Sequence, residues 1–284
     1  MDHLVSTDWL AARLHSPGLA ILDASSHLPA AKRNAAGEFA AGHIPGARFL
    51  DLASLVDTAS EVPSALPTAG QLSERLARLG LRPGQPVVLY DDSAVRTAAR
   101  AWFMLRLHGH ADAAILDGGL DKWRAEGRPL ETGEADVPAI SAPQPGWLAP
   151  GTGEVRNKAD LLTDLGRGSE QVLDARDARR FSGELPDLRP DVAPGHIPGS
   201  RNLPFDRVLN ADGSYKDAVS LRALFTEAGI DWSRPVVTTC GSGVTAAVLL
   251  FAMHLAGKDD VALYDGSWAE WGADPATPKA LGPA

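Results

Sequence analysis

A single cysteine, Cys240, holds all the thiol chemistry of this 284-residue chain. One cysteine cannot close an intramolecular disulfide, so nothing in the sequence calls for an oxidising compartment. Basic charge is also scarce: 27 Lys and Arg stand against 36 Asp and Glu, a formal net charge of −9, with no Lys/Arg run. That balance excludes a nucleic-acid footprint. Long apolar runs are missing too. The best candidate, VTAAVLLFAMHLAG from Val244, stops at Gly257-Lys258-Asp259, short of the roughly 20 residues of a membrane span. The opening MDHLVSTDWL has neither the basic start nor the apolar stretch of a secretory signal. A cytoplasmic protein with no membrane partner is the expectation. The eight histidines and one cysteine show no CxxC or HExxH spacing, and neither GxGxxG nor a P-loop occurs. Neither metal nor cofactor is expected.

What is present is said twice. GHIPGARFLDL begins at Gly42 and GHIPGSRNLPF at Gly195, preceded by Leu22-Asp23-Ala24 and Leu173-Asp174-Ala175 respectively. PVVLYDDSAVRTAA from Pro86 matches PVVTTCGSGVTAA from Pro235, and ILDGGLDKW, ending at Trp123, matches LYDGSWAEW, ending at Trp271. The blocks keep their order at offsets of 153, 149 and 148 residues, the mark of an internal duplication. The Pro- and Gly-rich stretch between the halves reads as a linker over 134–153. It separates a first domain at 1–133 from a second at 154–284.

Each half alternates short apolar runs with helical patterns. LAILDA, PVVLYD and AAILDG in the first half, and QVLDA, PVVTTC and VALYDG in the second, read as buried parallel strands. TDWLAARL, TAGQLSERLARLG (ending at Gly80), SLRALFTEAG and VTAAVLLFAMHLAG read as helices. The fold class is therefore α/β, two tandem copies of a mostly parallel sheet flanked by helices.

Open α/β sheets bind ligands where strands end and feed helices. Cys240 closes PVVTT, and a helix is expected to begin near Val244. Between them Gly241, Ser242 and Gly243 free the backbone to curl and turn its N–H groups on a central anion. A thiolate, or the persulfide made from it, is the anion that such a loop would hold. A lone cysteine is otherwise commonly a small core hydrophobe; the Gly-rich strand-to-helix loop argues for the nucleophile. In the first half Asp91 stands in the cysteine's place, so that half carries no nucleophile.

CGSGVTA, the paired GHIPG blocks and YDGSW resemble the two-domain rhodanese family, most of all its 3-mercaptopyruvate sulfurtransferase subgroup. The resemblance runs over nearly the whole chain. It implies a catalytic second domain, an inactive first domain, and a persulfide on Cys240. Sulfur would come from a small-molecule donor and pass to a thiol, such as thioredoxin or a small thiol, or to cyanide.

Within that family the residues after the cysteine track the donor. Thiosulfate enzymes commonly carry Arg and Lys there; Gly241 and Ser242 are uncharged and resemble the mercaptopyruvate type. Gly241, Ser242, Gly243, Val244 and Thr245 are then the substrate-binding loop. Arg180, before Phe181, and Arg189, a few residues before GHIPG, match the family's carboxylate-binding arginines. The guanidinium fork can grip a carboxylate through two parallel hydrogen bonds. Arg176 and Arg179 lie nearby and match less well. The subgroup also usually has a first-domain Asp and His that join the loop serine in a proton relay. Here Ala53 and Ser64 fill those places. His43 and His196, shared by both copies of GHIPG, read as structural.

Three other readings compete. Thiosulfate as donor is the alternative of the same class. A non-catalytic rhodanese-like binding module would not need the cysteine loop intact. A cysteine phosphatase needs C-x5-R, and the sixth residue after Cys240 is Ala246.

Overall fold

A computed structural model of the protein describes residues 1–134, 147–151 and 153–283. It divides into two units. Unit 1 comprises 1–57, 66–153 and the short segment Ala211–Tyr215; unit 2 comprises Thr58–Ala65, 154–210 and 216–284. Most of the linker expected at 134–153 lies outside the described residues.

Unit 1 runs β1 (Leu4–Val5), α1 (Thr7–Ala11), β2 (Ala20–Asp23), α2 (Ala35–Ala41), β3 (Arg48–Phe49), α3 (Ala69–Arg78), β4 (Val87–Tyr90), α4 (Ala98–Leu107), β5 (Ala113–Leu116) and α5 (Gly119–Ala125). All its strand pairs are parallel, in the order β1-β5-β4-β2-β3. β2, β4 and β5 are buried at every residue, which explains why they read as continuous apolar runs without alternation. α3 shows how local sequence sets an element. Thr68 and Gln71 close a reciprocal capping box, and Leu72, Leu76 and Ala77 face the core. The chain then turns at Gly80, whose φ of +78° suits glycine.

Unit 2 repeats the plan with β6 (Glu154–Arg156), α6 (Lys158–Leu165), β7 (Gln171–Asp174), α7 (Ala178–Ser182), β8 (Arg201–Asn202), α8 (Ala218–Glu227), β9 (Val236–Thr239), α9 (Val244–Leu255), β10 (Val261–Tyr264) and α10 (Ser267–Trp271). Its parallel sheet has the same order, β6-β10-β9-β7-β8. α9 is apolar on every side and Ala246–Met253 are all buried, as a helix inside a core must be. Among the described residues no helix is long and apolar enough to cross a membrane.

The duplication extends to side-chain detail. His43 stacks on Phe39 at 3.9 Å and His196 on Phe181 at 3.8 Å, and each ring pairs through Nδ1 with that phenylalanine's carbonyl at 2.9 Å. Trp123 and Trp271 are fully buried and donate from Nε1 to Pro129 O and Pro278 O, both at 2.8 Å. Truncating either tryptophan to alanine would cost about 3–5 kcal/mol. The GHIPG histidines are thus bound into each core alike.

Candidate active site

Cys240 follows β9, the middle strand of its sheet, and is 2% exposed. Its backbone is clamped on both sides by the turn that opens α10. The Cys240 N–H donates to Ser267 Oγ at 3.2 Å, and Ser267 Oγ donates onward to Tyr264 O at 2.9 Å. Trp268 N–H donates to Cys240 O and Ala269 N–H to Gly241 O, both at 2.9 Å. Ser267 is fully buried at a φ of +50°, a conformation rare for a residue with a Cβ. The sequence named YDGSW as a motif but gave Ser267 no role. A readable signal was there, since the matching position in the first half is Gly119.

The loop is as short as the sequence suggests: α9 begins at Val244, with Gly243 as its N-cap at φ +75°. No side-chain hydrogen bond caps this helix, and its first turn brings the positive end of the helix dipole to the cysteine loop. Ser242, Val244 and Thr245 are half-buried. Among the described residues the Ser242 hydroxyl makes no hydrogen bond.

The four arginines differ in kind. Arg176 is buried and committed: Nε and Nη2 donate to Asp174 Oδ2 at 2.9 and 2.7 Å, Nη2 also reaches Gly195 O at 2.8 Å, and the guanidinium lies 4.6 Å from the Trp268 ring centre. Arg179 is exposed, 3.6 Å from Glu184. Arg180 sits half-buried on α7, where Asp177 Oδ1 accepts from the Arg179 and Arg180 N–H groups. Its guanidinium makes no hydrogen bond or ion pair among the described residues. Arg189 is the one that reaches the loop: a Cβ built on Gly241 would stand 3.9 Å from Arg189 Nη1. Asp187 holds it there. Asp187 Oδ1 accepts from Arg189 N at 3.0 Å and from Nη1 at 3.2 Å, a partner the sequence reading did not single out.

In unit 1 the corresponding loop is filled from within. Asp91 follows β4, again the middle strand, and is buried. Its carboxylate accepts from Ser93 N–H at 3.0 Å and from Ala98 N–H, the first residue of α4, at 2.8 Å. Burial pushes its pKa up to about 6, against the opposing pull of those N–H groups and of Arg96. Ser64, at the family's His position, belongs to unit 2, whereas Ala53 belongs to unit 1.

Comparison with known proteins identifies the family. The family model for the rhodanese-like domain matches twice, at residues 6–126 and 157–274. The chain is 40% identical over 274 residues to the 3-mercaptopyruvate sulfurtransferase of Rattus norvegicus, covering 94% of this chain and 91% of the relative. It is 37% identical to the thiosulfate sulfurtransferase of Cricetulus griseus, covering 94% and 91%. The crystal structure of SseA, a 3-mercaptopyruvate sulfotransferase from Escherichia coli, superposes with a TM-score of 0.84 at 35% identity, covering 94% of this chain and 99% of that one. Two matched domains, and relatives of this similarity along nearly the whole length, place the chain in the rhodanese family.

Proposed function

We propose that the chain is a sulfurtransferase that takes sulfur from 3-mercaptopyruvate and carries it as a persulfide on Cys240. The observation that carries this reading is the pairing of a clamped, buried cysteine at a helix N-terminus with a guanidinium beside an uncharged loop. Gly241, Ser242, Gly243, Val244 and Thr245 would surround the sulfur, while Arg180 and Arg189 would hold the donor carboxylate. The Cys240 thiolate attacks the donor sulfur, the carbon–sulfur bond breaks, and the carbon takes up a proton to give pyruvate. An acceptor thiolate, of thioredoxin or a small thiol, then attacks the outer sulfur and Cys240 leaves as thiolate. Cyanide as acceptor gives thiocyanate by the same exchange. No step changes the overall oxidation level, so no redox cofactor is called for.

Domain 1–133 would serve as a scaffold without a nucleophile and 154–284 as the catalytic domain, with 134–153 between them. Residence in the cytoplasm belongs to the same reading, because a thiolate nucleophile and thiol acceptors suit a reducing compartment. Thiosulfate is the alternative donor, favoured by one observation: Ala53 and Ser64 leave Ser242 without the relay usual in the mercaptopyruvate subgroup.

Steady-state kinetics with 3-mercaptopyruvate and thiosulfate side by side test the donor. The expected result is a higher kcat/KM for mercaptopyruvate; preference for thiosulfate overturns that part of the proposal. Intact mass after incubation with donor should rise by one sulfur, about 32 Da, and an unchanged mass with turnover intact would exclude the persulfide route.

A further inference from the structure

Arg189 lies on the irregular stretch between α7 and β8, where nothing in the backbone ladder fixes a long side chain. Asp187 does so from two residues away, through bonds to both ends of Arg189 that converge on one oxygen. The two partners are unequally placed. The Asp187 side chain is only 6% exposed, whereas that of Arg189 is 40% exposed. The carboxylate is therefore a fixed charge set behind a guanidinium whose outer face remains open.

We infer that Asp187 is a specificity-determining residue that tunes the site toward donors carrying one negative charge. The inference rests on the proposal that Arg189 faces the donor. Nη1 is the atom near Gly241 and is bonded to Asp187; among the described residues Nε and Nη2 make no hydrogen bond, which leaves a two-donor edge of the shape that matches a single carboxylate. In charge terms Arg180 and Arg189 supply two positive charges and Asp187 removes one. A monoanionic donor is thereby balanced, while a dianion such as thiosulfate carries an excess charge. Gly241 and Ser242 bring no side-chain charge to meet that excess. Discrimination thus arises from a built-in repulsion as well as from the attractive fork.

Asp187→Asn separates charge from position, because the amide oxygen still accepts from both Arg189 donors while the charge is gone. Its donor kinetics should be compared with wild type and with Asp187→Ala, each checked for an unchanged melting temperature. The Asn variant should lower KM for thiosulfate and raise the thiosulfate-to-mercaptopyruvate ratio of kcat/KM by about tenfold, the effect of one unit charge at partly solvated range. The Ala variant, which frees Arg189, should lose mercaptopyruvate activity that the Asn variant retains. An Asn variant that changes both donors by the same factor, or leaves the thiosulfate KM unmoved, overturns the inference. The thiosulfate arm judges Asp187 by itself, whereas absence of mercaptopyruvate turnover in wild type would instead overturn the donor reading.

Discussion

The two halves share a strand order, a pair of stacked histidines and a pair of buried tryptophans, and differ where the middle strand ends. In the first half the chain takes residues 92–97 to reach α4 from Asp91; in the second, 241–243 suffice between Cys240 and α9. The long loop is self-satisfied, its own carboxylate bonded to the N–H of Ser93 and of Ala98. The short loop carries a thiol and leads into a helix whose N-cap is a glycine. A second contrast lies one turn away. Gly119 in the first half is Ser267 in the second, and a Cβ at Gly119 would stand 2.5 Å from Asp91 O. At Ser267 the Cβ fits and its hydroxyl receives the Cys240 N–H. One scaffold has thus been finished twice, once with a carboxyl group bonded inside its own loop and once with a thiol beside a glycine-capped helix.

Exchanging the two strand-end residues for inert analogues gives the largest effect that can break this contrast. Cys240→Ser should lower sulfur transfer by about a thousandfold or more while the fold persists, because a hydroxyl cannot form the persulfide. Asp91→Asn should leave kcat/KM unchanged. Activity surviving in the Ser variant, or lost in the Asn variant, would show that the halves do not divide the work in this way.

The arginines sharpen the same contrast. Replacing Arg180 or Arg189 by alanine should remove a charge-assisted hydrogen bond of roughly 1.5–3 kcal/mol, or about 10- to 150-fold in kcat/KM for mercaptopyruvate. Lysine should restore only part of this, since a point charge cannot reproduce the planar fork. Equal losses on thiosulfate and mercaptopyruvate would mean that these residues support the fold and not the donor carboxylate.

Much of this was legible in the sequence because the strands are short, apolar and repeated in register. Val236–Thr239 and Val244–Leu255 lie where PVVTT and VTAAVLLFAMHLAG put them, and the Gly-Ser-Gly loop follows from the gap. TDWLAARL overran, as α1 ends at Ala11. What stayed hidden were partnerships across the chain. Nothing in the spacing says that Arg176 is consumed by Asp174 and Gly195 O while Arg180 makes no ion pair among the described residues. A run of charged residues looks uniform until burial sorts it. Segment exchange was hidden as well: Thr58–Ala65 belongs to unit 2 and Ala211–Tyr215 to unit 1, contacts that no local pattern encodes.

The smallest expected effect concerns the price of the carboxylate that fills the first loop. Asp91 has its folded-state pKa raised to about 6 by burial, against about 3.9 in an unfolded chain. A raised pKa means that the fold prefers the neutral acid. Its contribution to stability is fully present below the unfolded value and is lost as pH rises through the folded one. Between about pH 5 and 7.5 that loss should amount to about 1.5 kcal/mol. The test is denaturant unfolding of wild type and Asp91→Asn across this range. Titrating groups that do not feel the Asp91 charge, among them Asp212 and Asp164 with lowered pKa values, are common to both proteins and cancel in the difference. Wild type should gain on the Asn variant as pH falls. A difference that stays flat with pH would show that the two N–H bonds and Arg96 offset burial completely, making the first loop as hospitable to a charge as the second is proposed to be.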